Sequence, residues 1–168
     1  MKIFLHGLES SSQGAKAQFL RHLYPNMAIP DFTGSLSERM TVLYDVLEGR
    51  HDIILIGSSF GGLMATIFAM ENPGAVERLI LLAPALNFQE FSRYTLKPSD
   101  IRARMIIGRR DTVTPPAIVV PLAQKIFTAI QYDTVDDDHL LARTFRDLDW
   151  QTMIGGQKII TPLEEKLS

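Results

Sequence analysis

The stretch from His51 to Met70, HDIILIGSSFGGLMATIFAM, decides the fold. Ile53, Ile54, Leu55 and Ile56 form a continuous apolar run rich in β-branched residues, the pattern of a strand buried on both faces in a parallel sheet. Gly57 ends the run. Beyond it Leu63, Met64, Ile67, Phe68 and Met70, with the small Ala65 and Ala69, suit a helix packed on almost every side. Between strand and helix, Gly57-Ser58-Ser59-Phe60-Gly61 matches G-x-S-x-G with Ser59 at its centre. A chain that reverses from strand to helix in so few residues holds the central one in a sparsely populated conformation, at a cost of roughly 1–3 kcal/mol. Glycines two before and two after remove the collisions this turn would cause. The Ser59 hydroxyl is left at the carboxyl edge of the sheet, with the Phe60 N–H turned toward any negative charge that develops beside it. The plainer reading of the same residues is an ordinary serine in a βα turn.

Outward from this corner, strands alternate with helices. Ile3, Phe4 and Leu5 make a first strand stopped by His6-Gly7, and residues 8–14 (LESSSQG) form a polar loop. A helix is expected over Ala15–Tyr24, a short strand around Met27–Ile29, and a second helix from Ser35 to about Glu48. Leu79–Leu82, Met105–Ile107 and Gln131–Val135 read as further strands, with a helix near Pro116–Phe127. Leu140, Leu141, Phe145 and Leu148 mark a final amphipathic helix, and Gly155-Gly156 separates it from a tail over 155–168. The rhythm implies an α/β fold with right-handed crossovers and a parallel sheet covered on both faces.

The 168 residues form one domain, with no room for a separate cap domain. A formal net charge of −2 and a pI near 6.1 favour neither nucleic acid nor an anionic membrane surface, so the expected partner is a small molecule. Zero cysteines rule out disulfides, Cys-ligated metals and a thiol nucleophile. Lys2–Leu5 is too short for a signal-peptide core, and no run of about 18 apolar residues follows. The expectation is a soluble, cytoplasmic protein without metal or cofactor, since G-x-G-x-x-G and G-K-[ST] loops are missing. Oligomeric state is not legible at this level.

G-S-S-F-G-G after a buried strand, Asn72-Pro73, and Leu79-Ile80-Leu81-Leu82-Ala83-Pro84 after it resemble the α/β-hydrolase superfamily. The opening HGLESS is most similar to compact bacterial esterases that lack a large cap domain. The resemblance implies a minimal hydrolase core of about six strands in the order 2-1-3-4-5-6. It implies a serine nucleophile, Ser59, followed in chain order by an acid and a histidine. Downstream of Ser59 the chain has one histidine, His139, in Val135-Asp136-Asp137-Asp138-His139, which makes it the expected base. Gly108-Arg109-Arg110-Asp111-Thr112-Val113-Thr114-Pro115 looks like the family's G-x-x-D-x-x-x-P segment and makes Asp111 the expected acid, with Asp136, Asp137 and Asp138 as rivals. His6-Gly7-Leu8 resembles the family's HG motif, so the Leu8 N–H joins that of Phe60 as a second oxyanion donor, and His6 braces the loop by hydrogen bonding.

The implied activity is cleavage of a small carboxylic ester or thioester through an acyl-enzyme. Segment 84–98, PALNFQEFSRYTLKP, is placed as a short flap, with Leu86, Phe88 and Phe91, together with Val113 and Leu140, as candidate acyl-pocket residues. The same aromatics would equally pack a surface helix to the core. An acyltransferase would use the same triad, and a ligand-binding or signalling protein on this scaffold would read the same in sequence.

Overall fold

The computed structural model describes residues 1–94 and 98–155. Five parallel strands form one sheet in the order β1-β2-β3-β4-β5: β1 (Lys2–Leu5), β2 (Ile53–Ser58), β3 (Val76–Leu82), β4 (Ala103–Gly108) and β5 (Gln131–Val135). Helices α1 (Ala15–Leu23) and α2 (Leu36–Leu47) link β1 to β2, α3 (Phe60–Glu71) links β2 to β3, and α4 (Pro116–Ile126) links β4 to β5. Helix α5 (Trp150–Gly155) follows the sheet. The family of folds read from the sequence is the one observed, with a smaller strand count. The strand expected over Met27–Ile29 is a single parallel bridge from Ala28 to Ile3, closed by Phe4 N–H to the Ala28 carbonyl (2.9 Å) and Ala28 N–H to the Lys2 carbonyl (3.0 Å). Pro25 and Pro30 flank it, and a proline has no N–H to extend a ladder. The bridge lies on the far side of β1 from β2, the place that the expected order gave to its second strand.

Side chains of each strand alternate between two apolar layers. Ile3, Leu5, Ile53, Leu55, Leu79, Leu81, Met105 and Ile107 join α2, α3 and α4 in one core. Phe4, Ile54, Ile56, Ile80, Leu82 and Ile106 join α1, Phe145, Trp150 and Ile154 in the other. Strand β2, at the middle of the flow of the chain, is buried at every position, whereas no residue of the edge strand β5 is fully buried. Register sets Gly57 beside Leu5, Ser58 beside Leu82, and Gly108 beside Val135, so the strands end along one line. Among the described residues no helix is long and apolar enough to cross a membrane.

Two further expectations change. The stretch from Leu140 to Leu148 is not a helix: Leu141 has φ +52°, and only a 3₁₀ turn at Phe145–Asp147 forms. The Asp137 carboxylate takes the N–H groups of Arg143 (3.0 Å) and Thr144 (2.9 Å) and holds the segment in this turn. The helix starts later, at Trp150, where Asp149 accepts Thr152 N–H (3.0 Å) as an N-cap does. Segment 84–94 is no free flap, because Leu86 and Phe91 are sunk in the α2–α3–α4 core and a 3₁₀ turn spans Gln89–Arg93. The rest of the flap assignment at 95–97, and that of the tail at 156–168, lie outside the described residues.

Candidate active site

Ser59 joins β2 to α3 with φ +55° and ψ −117°, a backbone conformation that few residues with a side chain adopt. Space for it comes from the glycines. A Cβ on Gly57 would stand 2.7 Å from the Gly62 Cα, and one on Gly61 would stand 2.5 Å from the Leu5 carbonyl carbon and 2.7 Å from the His6 oxygen. Helix α3 therefore lies directly on the end of β1 and brings the His6-Gly7-Leu8 loop over the serine. The Cβ position at Gly7 is 3.4 Å from Ser59 Cβ. Phe60, first residue of α3, has no intrahelical acceptor for its N–H. Leu8 N–H makes no backbone hydrogen bond among the described residues.

His139 Nε2 lies 2.9 Å from Ser59 Oγ, and His139 Nδ1 lies 2.9 Å from Asp111 Oδ2. The three residues come from loops after β2, β4 and β5 and meet where those strands end. The Asp111 side chain is wholly buried and saturated with donors. Oδ1 accepts Val113 N–H (2.9 Å) and Thr114 N–H (2.7 Å), while Oδ2 also accepts the Thr114 hydroxyl (2.6 Å). Four hydrogen bonds suit an ionised carboxylate, and a carboxylate at Nδ1 places that proton on Nδ1 and leaves Nε2 as the acceptor for the serine hydroxyl.

The rival aspartates are otherwise engaged. Asp136 pairs with Arg110. Asp138 Oδ1 accepts Leu140 N–H (2.9 Å). Asp137 gathers Asp138 N–H (2.9 Å), Arg143 N–H, Thr144 N–H and the Thr144 hydroxyl (3.0 Å), which closes the loop that carries His139. Burial raises its pKa, but the hydrogen bonds from Thr144, Asp138 and Arg143 outweigh that and hold it below the usual carboxylate range. Lys16 straps the same loop from α1, donating to the Leu140 carbonyl (2.5 Å). Burial pushes its pKa down, against the pull of Asp137 and Asp138. His6 accepts Phe32 N–H at Nε2 (3.0 Å), which leaves the proton on Nδ1 for the Gly7 carbonyl (2.8 Å). These two bonds brace the loop that carries Gly7 and Leu8, the role expected of His6.

The candidate acyl-pocket residues divide. Val113 and Leu140 are exposed, as is Leu8, and the three lie on the loops that carry Asp111, His139 and Gly7. Phe88 is half-buried, its ring 6.2 Å from that of Phe60. Leu86 and Phe91 face the core, 2% and 3% exposed, because the chain leaving β3 turns inward at Ala85, whose N–H bonds to the Ser59 carbonyl (3.0 Å). Thr114, Lys16 and Arg39 carry no assignment from the sequence, and Asp137, a rival for the acid there, closes the His139 loop instead. An aspartate with a hydroxyl three residues on, Asp111-x-x-Thr114, is the local signal that would have found Thr114. Lys16 and Arg39 act through partners far along the chain and leave no local pattern.

No curated protein sequence matches the chain. Solved structures of the same fold are numerous. Alpha/beta hydrolase domain-containing protein 10 from mouse superposes with a TM-score of 0.69 at 17% identity, over 85% of this chain and 83% of its own. Est1E from Butyrivibrio proteoclasticus, with ferulic acid bound, gives 0.70 at 15% identity over 86% and 82%. MGS-MChE2, an alpha/beta hydrolase enzyme from the metagenome of lagoon sediments at Mar Chica, Morocco, gives 0.66 at 18% identity over 83% and 82%. The profile of the serine aminopeptidase S33 family matches residues 26–110, from the Ala28 bridge through the Ser59 turn to the end of β4. With that match over half of its length, and with this sheet, the chain belongs to the serine aminopeptidase S33 family of hydrolases, within the α/β-hydrolase superfamily.

Proposed function

We propose that the protein is a serine hydrolase that cleaves a small carboxylic ester or thioester through an acyl-enzyme. The observation that carries this reading is the unbroken line Ser59 Oγ, His139 Nε2, His139 Nδ1, Asp111 Oδ2, each link 2.9 Å. Ser59 Oγ attacks the acyl carbonyl carbon while its proton passes to His139 Nε2. The carbonyl oxygen becomes an oxyanion held by the N–H groups of Phe60 and Leu8. Collapse breaks the bond to the alcohol or thiol, which leaves with the proton from Nε2. Water then repeats the cycle, and the acid product departs. Asp111 keeps the imidazole in the needed tautomer and faces the imidazolium that forms. Exposed Leu8, Val113 and Leu140, each on a loop that also carries a site residue, suit an apolar acyl group. The bound ferulic acid of Est1E is a carboxylic acid, the product class of such a cleavage.

A second reading comes from the family's own description: removal of the N-terminal residue of a short peptide by the same residues. Treatment with a fluorophosphonate probe, followed by peptide mass spectrometry, tests the nucleophile. Modification at Ser59 that disappears in His139→Ala is the expected result, and Ser59→Ala or His139→Ala lowers kcat by roughly 10⁴–10⁶-fold. Near-normal turnover by Ser59→Ala overturns the mechanism. Parallel ester, thioester and aminoacyl-anilide panels decide between the two substrate classes.

A further inference from the structure

Arg39 is poorly placed for a residue that serves stability alone. It is the fourth residue of α2, close to the helix end whose dipole disfavours a cation. It is 4% exposed, and no carboxylate pairs with it among the described residues. Burial lowers its pKa with no neighbouring charge to oppose the shift. Nε donates to the Gly34 carbonyl (3.1 Å) and Nη2 to the Leu8 carbonyl (3.3 Å), while the guanidinium carbon sits 5.4 Å from the centre of the Phe60 ring. Nη1 is buried with no hydrogen-bond partner among the described residues. A buried cation with an unused donor and no counter-charge is a destabilising choice, which a sequence keeps where the charge has another use.

Its contacts converge on the two segments that flank the nucleophile. Phe60 follows Ser59 directly, and Leu8 follows Gly7, whose backbone runs against the Ser59 side chain. We propose that Arg39 is the positioning residue of the oxyanion pocket, fixing the Leu8 peptide through its carbonyl and Phe60 through its ring face. The proposal rests on Ser59 being the nucleophile. Held this way, the N–H groups of Leu8 and Phe60 keep a fixed relation to Ser59, and a positive charge that no carboxylate among the described residues cancels favours the negative oxygen formed there. A neutral ground-state carbonyl gains little from that charge, so the effect falls on kcat and spares KM. Nη1 is enclosed by protein, so the guanidinium is not arranged to grip a substrate carboxylate.

The test compares Arg39→Met and Arg39→Lys with the wild-type full chain in hydrolysis of a p-nitrophenyl ester, fluorophosphonate labelling, urea unfolding and inhibition by an alkyl trifluoromethyl ketone. The ketone adds Ser59 Oγ at its carbonyl carbon, its proton passes to His139, and its oxygen becomes an oxyanion in the pocket. Arg39→Met is expected to lower kcat by about 10–100-fold with KM within about twofold, and to weaken the ketone by a similar factor. Its urea midpoint stays or rises, since an unpaired buried charge has been replaced by an apolar chain. Arg39→Lys keeps the charge but loses the fork between Gly34 and Leu8, and falls between the two. Wild-type kcat and ketone affinity in Arg39→Met overturn the proposal, as does a loss confined to KM or to esters with a carboxylate in the acyl part. If Arg39→Met does not fold, wild-type kcat and ketone affinity in Arg39→Lys overturn it instead. A wild type with neither turnover nor labelling at Ser59 overturns the nucleophile reading, and the role of Arg39 with it.

Discussion

Replacing single glycines by alanine separates three physical effects that this fold keeps at different positions. At Gly61 the added Cβ would stand 2.5 Å from the Leu5 carbonyl carbon and 2.7 Å from the His6 oxygen, about 1 Å inside ordinary contact. Both obstacles are backbone, one in β1 and one in the loop after it, so neither relaxes by rotating a side chain. Overpacking of this kind costs typically 1–3 kcal/mol, and a rigid neighbour puts Gly61→Ala near the top, about 3 kcal/mol. In a chain this long that is a fall in Tm of about 6–12 °C. At Gly49 a Cβ meets nothing within 4 Å, but φ is +65°, so Gly49→Ala costs about 1–2 kcal/mol from conformation alone. At Gly74 there is open space and no such φ, so Gly74→Ala raises stability by about 0.4–1 kcal/mol through the unfolded chain. Urea unfolding measures all three, and fluorophosphonate labelling adds the functional readout. Gly61→Ala lifts α3 from β1 and moves the Gly7-Leu8 peptide off Ser59, so its labelling rate drops by at least about tenfold, while Gly74→Ala labels as the wild type does. A Gly61→Ala protein as stable as Gly74→Ala would refute the claim that α3 rests on the end of β1.

Two further substitutions probe the supports of His139. Thr114→Val keeps the shape and both backbone donors to Asp111 but removes the hydroxyl from Oδ2; stability falls by about 1.5–3 kcal/mol and kcat by about tenfold, and an unchanged urea midpoint and kcat would refute the role given to the hydroxyl. The folded pKa of Asp137 lies below its unfolded value, so its hydrogen bonds contribute in full above the unfolded carboxylate range, about pH 4, and are lost as pH falls through the folded value. Urea midpoints between about pH 2.5 and 7 should therefore fall more steeply with acid in the wild type than in Asp137→Asn, and parallel curves would refute it.

What was legible in the sequence was local. Gly57, Ser59 and Gly61 announce the turn because strand, corner and helix lie within a few residues of one another, and the order Ser59, Asp111, His139 singled out the hydrogen-bonded line. The strand at Met27–Ile29 was overread because apolar content there resembles a strand, whereas its pairing is limited by the prolines on both sides. The helix over Leu140–Leu148 was overread for a different reason. Its apolar spacing is real, since Leu141 and Phe145 are both buried, but the Asp137 side chain takes N–H groups that a helix would need. Lys16 meets Leu140 across 124 positions and Arg39 meets Leu8 across 31, and no pattern of neighbours reports such contacts. Leu86 and Phe91 show the same limit: apolar residues after a strand fit a pocket or a core equally well, and only the turn at Ala85 decides.

The contrast between β2 and β5 has a consequence for how the protein fails. Ser59 follows a strand buried along its whole length, while His139 follows an edge strand that, among the described residues, pairs on one side only and has no fully buried residue. Fraying of that edge would part His139 from Ser59 while the rest of the sheet is still intact, at a lower free energy than global unfolding. On heating, loss of fluorophosphonate labelling is therefore expected to run ahead of melting, and hydrogen-exchange measurements are expected to find the amides of Gln131–Val135 faster than those of Ile53–Ser58.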